Sequence, residues 1–295
     1  MPAWLKAMLR NPLSVTGGIL VILFALAAIF APLLAPPAYP SQPFIIPQDG
    51  FSAQPQPPSA AHIFGTTDGQ YDIFYGVVWG TRTAFEVGLI VTFFSSMIGT
   101  ALGSISAFIG GVFDEVVQRL VEIFLAFPFL LAALILATVL GPKLRNGILT
   151  GMIALITFGW PGYARLIRGN ILSIRERDYV IAAKALGEPG WQNLLTHVLP
   201  NAISSVLVVA SLDVGANVLT FAALSFLGVG ASLGYADWGQ LLSFARNWIP
   251  SLSQYWYIVV FPGAALLLFS LAWNLIGDAF RDAIDPNMRG RKGGS

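Results

Sequence analysis

Twenty consecutive residues, Val15 to Leu34, carry no charged side chain. At about 1.5 Å per residue a helix of that length reaches roughly 30 Å, the depth of a bilayer's hydrocarbon layer. Five more apolar runs follow, at about 84–109, 116–140, 148–167, 201–228 and 257–279. Inside a bilayer no water satisfies backbone N–H and C=O groups, so runs of this kind cross as helices. The expectation is an all-α polytopic membrane protein with six transmembrane helices, embedded in a lipid bilayer. Composition agrees: 11% of residues are charged and 56% hydrophobic, where soluble domains hold roughly 25% charge. A cleaved signal peptide would have a shorter apolar region, about 7–15 residues, so the first run is expected to remain as a helix.

The runs divide the chain into an N-terminal arm and first helix (1–35), a proline-rich linker and segment (36–83), a five-helix core (84–280) and a tail (281–295). Nine of the nineteen prolines lie between Pro32 and Pro58, which predicts an extended polar linker. Pro128 predicts a kink in the third span, and Trp160-Pro161-Gly162 a break in the fourth. Arg165 and Arg168 belong at the end of the fourth span, reaching toward the interface, since at mid-bilayer each would cost about 2.5–3.5 kcal/mol. Trp238 and Trp248 suit an interfacial belt. With the N-terminus inside, the inner segments hold twelve of the sixteen lysines and arginines. The outer four are Arg82, Lys143, Arg145 and Arg246. This bias predicts both termini in the cytoplasm (N-in/C-in) and the linker outside.

Two patterns inside the spans invite a role. Ser95, Gly99, Gly103, Ala107 and Gly111 recur every four residues, a ribbon that permits close helix packing within the chain or against another. Asp213, Asn217 and Thr220 fall on one side of the fifth span at i, i+4 and i+7. A carboxylate so deep is tolerated facing a watery path or a polar partner. The stripe therefore either lines a pathway or serves packing.

Asp178–Pro200, DYVIAAKALGEPGWQNLLTHVLP, is the main polar-containing interruption of the second half. A helix is expected from about Asn170 to Leu186, broken at Gly187-Glu188-Pro189-Gly190. A second short helix from Trp191 to His197 would carry Trp191, Leu194, Leu195 and Val198 on one side, and Pro200 would end it. That apolar side needs a cover. An amphipathic loop lying on lipid headgroups is the alternative to a protein partner.

Ala182-Ala183, Gly187 and Leu199-Pro200 keep the spacing of a known motif. The stretch resembles the EAA loop of permease subunits in binding-protein-dependent ABC importers, with Ile181 at the glutamate position. His197 stands where that motif has isoleucine, which is similar to the oligopeptide, dipeptide and nickel branch. His62, Gly65, Thr66 and Asp72, the run ALSFLGVG (223–230) and the tail from Asn274 to Pro286 resemble the same branch. Phe221 stands where these permeases have a glutamate. The resemblance implies a cytoplasmic coupling helix between spans 4 and 5, presenting Ala182, Ala183, Gly187, Trp191, Leu194, Leu195, His197, Leu199 and Pro200 to an ATPase. It also implies a second homologous permease, two ATPase subunits that bind ATP and Mg, and an external solute-binding protein.

The chain itself holds no Gly-x-x-x-x-Gly-Lys-Ser/Thr phosphate loop, so catalysis and cofactors are expected in partner chains. Its two histidines, His62 and His197, fall on opposite sides of the expected topology and make a weak metal set. A net charge of +1 argues against a nucleic-acid partner. A proton-coupled secondary transporter is the alternative function, with Asp213 as its clearest carboxylate. The resemblance implies peptides or a similar solute as cargo, in a branch that takes up dipeptides, oligopeptides, nickel and some sugars.

Overall fold

A computed structural model describes residues 11–284. Among them the fold is helical, and only isolated bridges represent β-structure. Helix α1 (Pro12–Ile29) starts on the Asn11 side chain, which accepts from the Leu13 N–H at 3.0 Å, with Pro12 at the position that needs no N–H. Helix α2 (Ile73–Ile109) is 37 residues, about 55 Å long. It begins well before the expected Ala84, capped by the Asp72 carboxylate on the Tyr75 N–H at 2.7 Å. Arg82 had concealed this early start. Its guanidinium donates to the Ala28 and Ile29 carbonyls at the end of α1, at 2.5 and 3.2 Å.

The expected third span is two helices, α3 (Gly111–Ala126) and α4 (Phe129–Leu144), bent by 90°. Proline pushes its preceding residue out of helical space, and Phe127 is extended at φ −85°, ψ 137°. The kink is therefore a full break. The pair runs from the Arg168 end of α5 (Gly147–Ile174), where Asp114 is bonded, to its Gly147 end. Five helices have the length and composition to cross a membrane, and six crossings result when the bent pair is one. The break expected at Pro161 is absent: α5 continues through it, with Pro161 buried against its neighbours.

Helices α2 and α5 form the most extensive pair, and the small-residue ribbon lies in their contact. A Cβ on Gly99 would come 2.3 Å from the Trp160 carbonyl oxygen, and one on Gly103 2.4 Å from that of Ala164. Ser95 and Ala107 are buried in the same seam, whereas Gly111 has open space around it and starts α3. Helix α8 (Leu199–Phe226) packs on α2 and α5, and α10 (Tyr257–Ile284) packs on α8 and α1.

The proline-rich stretch is a packed cover rather than a free linker. Its prolines remove the donors that a helix or sheet would need, yet its carbonyls accept from the core. Tyr75 Oη donates to Pro43 O at 2.6 Å and Trp79 Nε1 to Ala35 O at 2.9 Å. The Ile46 N–H donates to Gly234 O and the Ala236 N–H to Phe44 O, both at 2.8 Å, and Phe44 stacks on Tyr235. Beneath lies α9 (Trp238–Phe244), capped by the buried Asp237, whose carboxyl burial pushes up to about 6. Trp238 is 2% exposed, donates to Val77 O at 3.1 Å and packs on Phe24 and Phe269. It is a core residue, not part of an interfacial belt.

Candidate functional site

The stretch between α5 and α8 folds as a hairpin. The helix expected from Asn170 to Leu186 is interrupted: α5 ends at Ile174, and α6 (Asp178–Ala185) starts after Arg177 in extended backbone. Gly187 stops α6 with φ +90°. The Gly187 N–H donates to Lys184 O and the Glu188 N–H to Ala183 O, a reciprocal closure that a left-handed residue makes possible. Pro189 then leads into α7 (Gly190–Asn193).

Pro200 does not separate the second helix from the fifth span. After α7 comes a π-turn, Leu194–Val198, and α8 follows directly, so Gly190–Phe226 is one helical run. Pro200 has no N–H for the Thr196 carbonyl, and the ladder widens just before it, with the Leu199 N–H bonding Leu194 O. The hairpin's second arm and α8 are therefore continuous helix, irregular only at the π-turn.

The four apolar residues expected on one side divide between two tasks. Leu194 and Val198 turn inward, in one cluster with Ile171, Val180 and Ala202. Trp191 and Leu195 are more than half exposed, and so are Ile181 and Leu186 across the turn. Ala182, Gly187 and Pro200 are also exposed, while Ala183, His197 and Leu199 are half-buried. Two polar contacts tie the hairpin together. Asn193, buried, donates from Nδ2 to the Val180 carbonyl at 3.1 Å, and His197 Nε2 lies 3.3 Å from Glu188 Oε2. Asn193 was not anticipated. Its signal was one amide on the side of a short helix that otherwise faces α6 with apolar groups.

Near this end of the bundle, Arg168 does not reach for headgroups. Its Nε and Nη2 donate to the Asp114 carboxylate at 2.7 and 2.5 Å, and the Ser106 hydroxyl donates to the same carboxylate. Bidentate pairing of this kind is geometrically specific, and it fastens α3 to the end of α5 and α2. Asp114 and Arg168 are 54 residues apart in sequence, and that distance hid the pairing.

The stripe on α8 is polar but not unpartnered. Asp213 Oδ2 accepts from the Tyr163 hydroxyl at 2.6 Å, and Asn217 Nδ2 donates to Thr92 Oγ1 at 2.9 Å. Thr220 bonds its own helix at Ala216 O. Two of the three therefore bind α8 to α5 and α2. Phe221 is buried against Gly151, where a Cβ would lie 2.5 Å from its ring. At the opposite end, His62 Nδ1 sits 2.8 Å from Asp72 Oδ2, bracing the residue that caps α2.

Residues 99–290 match the family described as binding-protein-dependent transport system inner membrane component, and residues 3–58 match the N-terminal TM domain of oligopeptide transport permease C. The chain is 38% identical to the dipeptide transport system permease protein DppC of Alkalihalophilus pseudofirmus, over 96% of this chain and 89% of that one. It is 39% identical to the probable D,D-dipeptide transport system permease protein DdpC of Escherichia coli, over 96% and 90%. The oligopeptide transport system permease protein OppC of Bacillus subtilis is 37% identical, over 97% and 90%.

Proposed function

The chain belongs to the family of binding-protein-dependent transport system inner membrane components, and from that premise we propose that it forms half of a peptide pathway driven through the Asp178–Pro200 hairpin. It is a multi-pass inner-membrane permease subunit of an ABC importer, and not itself an enzyme. The family match sets aside a proton-coupled secondary transporter. The other half of the pathway is a second, homologous permease. Two ATPase subunits bind ATP and Mg, and an external binding protein delivers the cargo onto the outer cover. Both termini face the cytoplasm, although residues 1–10 and 285–295, which carry several of the inner basic residues, lie outside the described residues. Short peptides are the cargo, by similarity to the dipeptide and oligopeptide permeases.

One observation supports the coupling role above the others: Ile181, Leu186, Trp191 and Leu195, large apolar side chains of one hairpin, are more than half exposed among the described residues. In a groove of the ATPase they would be buried, with about 25 cal/mol gained per Å² of apolar surface removed from water. Closure of the ATPase pair then moves the hairpin, Asn193 holds its two helices in register, and α8 carries the displacement to Asp213 and Asn217. The test is a Trp191→Ala, Leu195→Ala double variant in the assembled transporter. Peptide uptake should fall at least tenfold, with ATPase subunits lost on purification or hydrolysis no longer stimulated by loaded binding protein. Wild-type uptake with full stimulation would overturn the assignment.

A further inference from the structure

The hairpin is not the only open feature at this end of the molecule. A groove of about 800 Å³ lies between the end of α5, the first half of α8 and the end of α10. Arg177, Arg281, Tyr179 and Ser205 line it, and farther along α8 so do Val208, Val209 and Leu212. Among the described residues no carboxylate lines it, although Asp278 and Asp282 flank Arg281 along α10. Among the described residues neither arginine makes an ion pair, whereas Arg119 and Arg168 elsewhere at this end both do.

We propose that this groove holds an anionic phospholipid, with the phosphate between Arg177 and Arg281 and an acyl chain along α8. The proposal rests on the topology given above, which puts the groove's mouth at the cytoplasmic surface. From Pro200 to Leu212 a helix rises about 18 Å, close to the roughly 15 Å of hydrocarbon in one leaflet. Along α8 the lining passes from Asn201, Ser204 and Ser205 to the aliphatic Val208, Val209 and Leu212. A peptide bound at that depth would leave its amides without partners, at a cost of about 1–3 kcal/mol each. A free phosphate would leave the aliphatic wall unused. Basic pockets at the cytoplasmic ends of membrane helices take lipid headgroups by this combination of charge and apolar depth. A lipid seated here touches α5, α8 and α10 together, and so bears on the helix that carries the hairpin's movement.

Native mass spectrometry of the assembled transporter, drawn from nanodiscs of mixed phosphatidylglycerol and phosphatidylcholine, reads occupancy without requiring transport. The wild-type assembly should retain phosphatidylglycerol. The Arg177→Gln, Arg281→Gln variant should retain it about 30-fold more weakly, roughly fivefold per arginine. A charge-matched Lys143→Gln, Arg145→Gln variant at the other end should bind as wild type, and Arg177→Lys, Arg281→Lys should keep most of the binding. Equal retention by wild type and the double glutamine variant overturns the site. Displacement of the lipid by millimolar inorganic phosphate overturns it in favour of free phosphate, and displacement by a dipeptide in favour of substrate. Peptide uptake by the wild-type assembly, measured in parallel, judges the permease reading separately.

Discussion

Gly187 sets the angle between the two helices of the hairpin, and its requirement is conformational rather than steric. Its φ is +90°, yet a Cβ built there meets nothing within 4 Å. A β-branched residue in left-handed backbone costs roughly 1–2 kcal/mol, enough to shift the turn without blocking it. Gly187→Val should therefore still insert and assemble, with peptide uptake per ATP hydrolysed falling several-fold in proteoliposomes. Gly187→Asn, which tolerates this backbone, should retain most of the coupling. Equal behaviour of the two variants would mean that turn geometry does not control coupling. The glycine was legible because a break followed by Pro189 leaves few ways to end a helix. Asn193 and the Asp114–Arg168 pair were not, because side-chain partners far apart in sequence leave no periodic trace.

At the scale of elements, the α2–α5 seam shows where small residues are required and where they are incidental. A Cβ on Gly103 would meet the Ala164 backbone oxygen at 2.4 Å, and backbone in a packed helix cannot swing aside. Gly169, on α5 itself, has nothing within 4 Å. Gly103→Ala should thus lower thermal stability in detergent by about 1–3 kcal/mol, as overpacking does. Gly169→Ala should be neutral or stabilising by up to about 1 kcal/mol. A neutral Gly103→Ala would show that the seam yields. The four-residue period announced a helix contact but not its partner; Ser95, Gly99, Gly103 and Ala107 find theirs within the subunit. Helix existence was likewise legible from hydropathy. The fate of each proline was not, since Pro128 breaks its span and Pro161 does not, and that difference lies in the tertiary packing around them.

For the whole molecule the first question is orientation. The chain has no cysteine, so single reporters are unambiguous. Phe51 on the outer cover and Leu186 on the hairpin are each 90% exposed. Phe51→Cys should react with an impermeant maleimide in cells with a permeable outer layer and intact inner membrane. Leu186→Cys should react only once that membrane is opened, and the reverse pattern would invert the topology. The outer cover was the largest feature that composition misjudged. Proline content predicts the absence of regular structure, and that absence holds, but it says nothing of the carbonyls and aromatic rings that dock the stretch onto α2 and α9.

That docking joins the two ends of the gene in time. Ile46 and Phe44 leave the ribosome early, while their partners Gly234 and Ala236 follow only after α8 has been made. At about 5–20 residues per second the wait is on the order of ten seconds or more. Through that interval the segment stands with Ile46 and Phe44 uncovered, outside the membrane on the topology proposed above. An arrested or truncated nascent chain would keep it that way, offering surface proteases a cleavage site that the finished protein has closed.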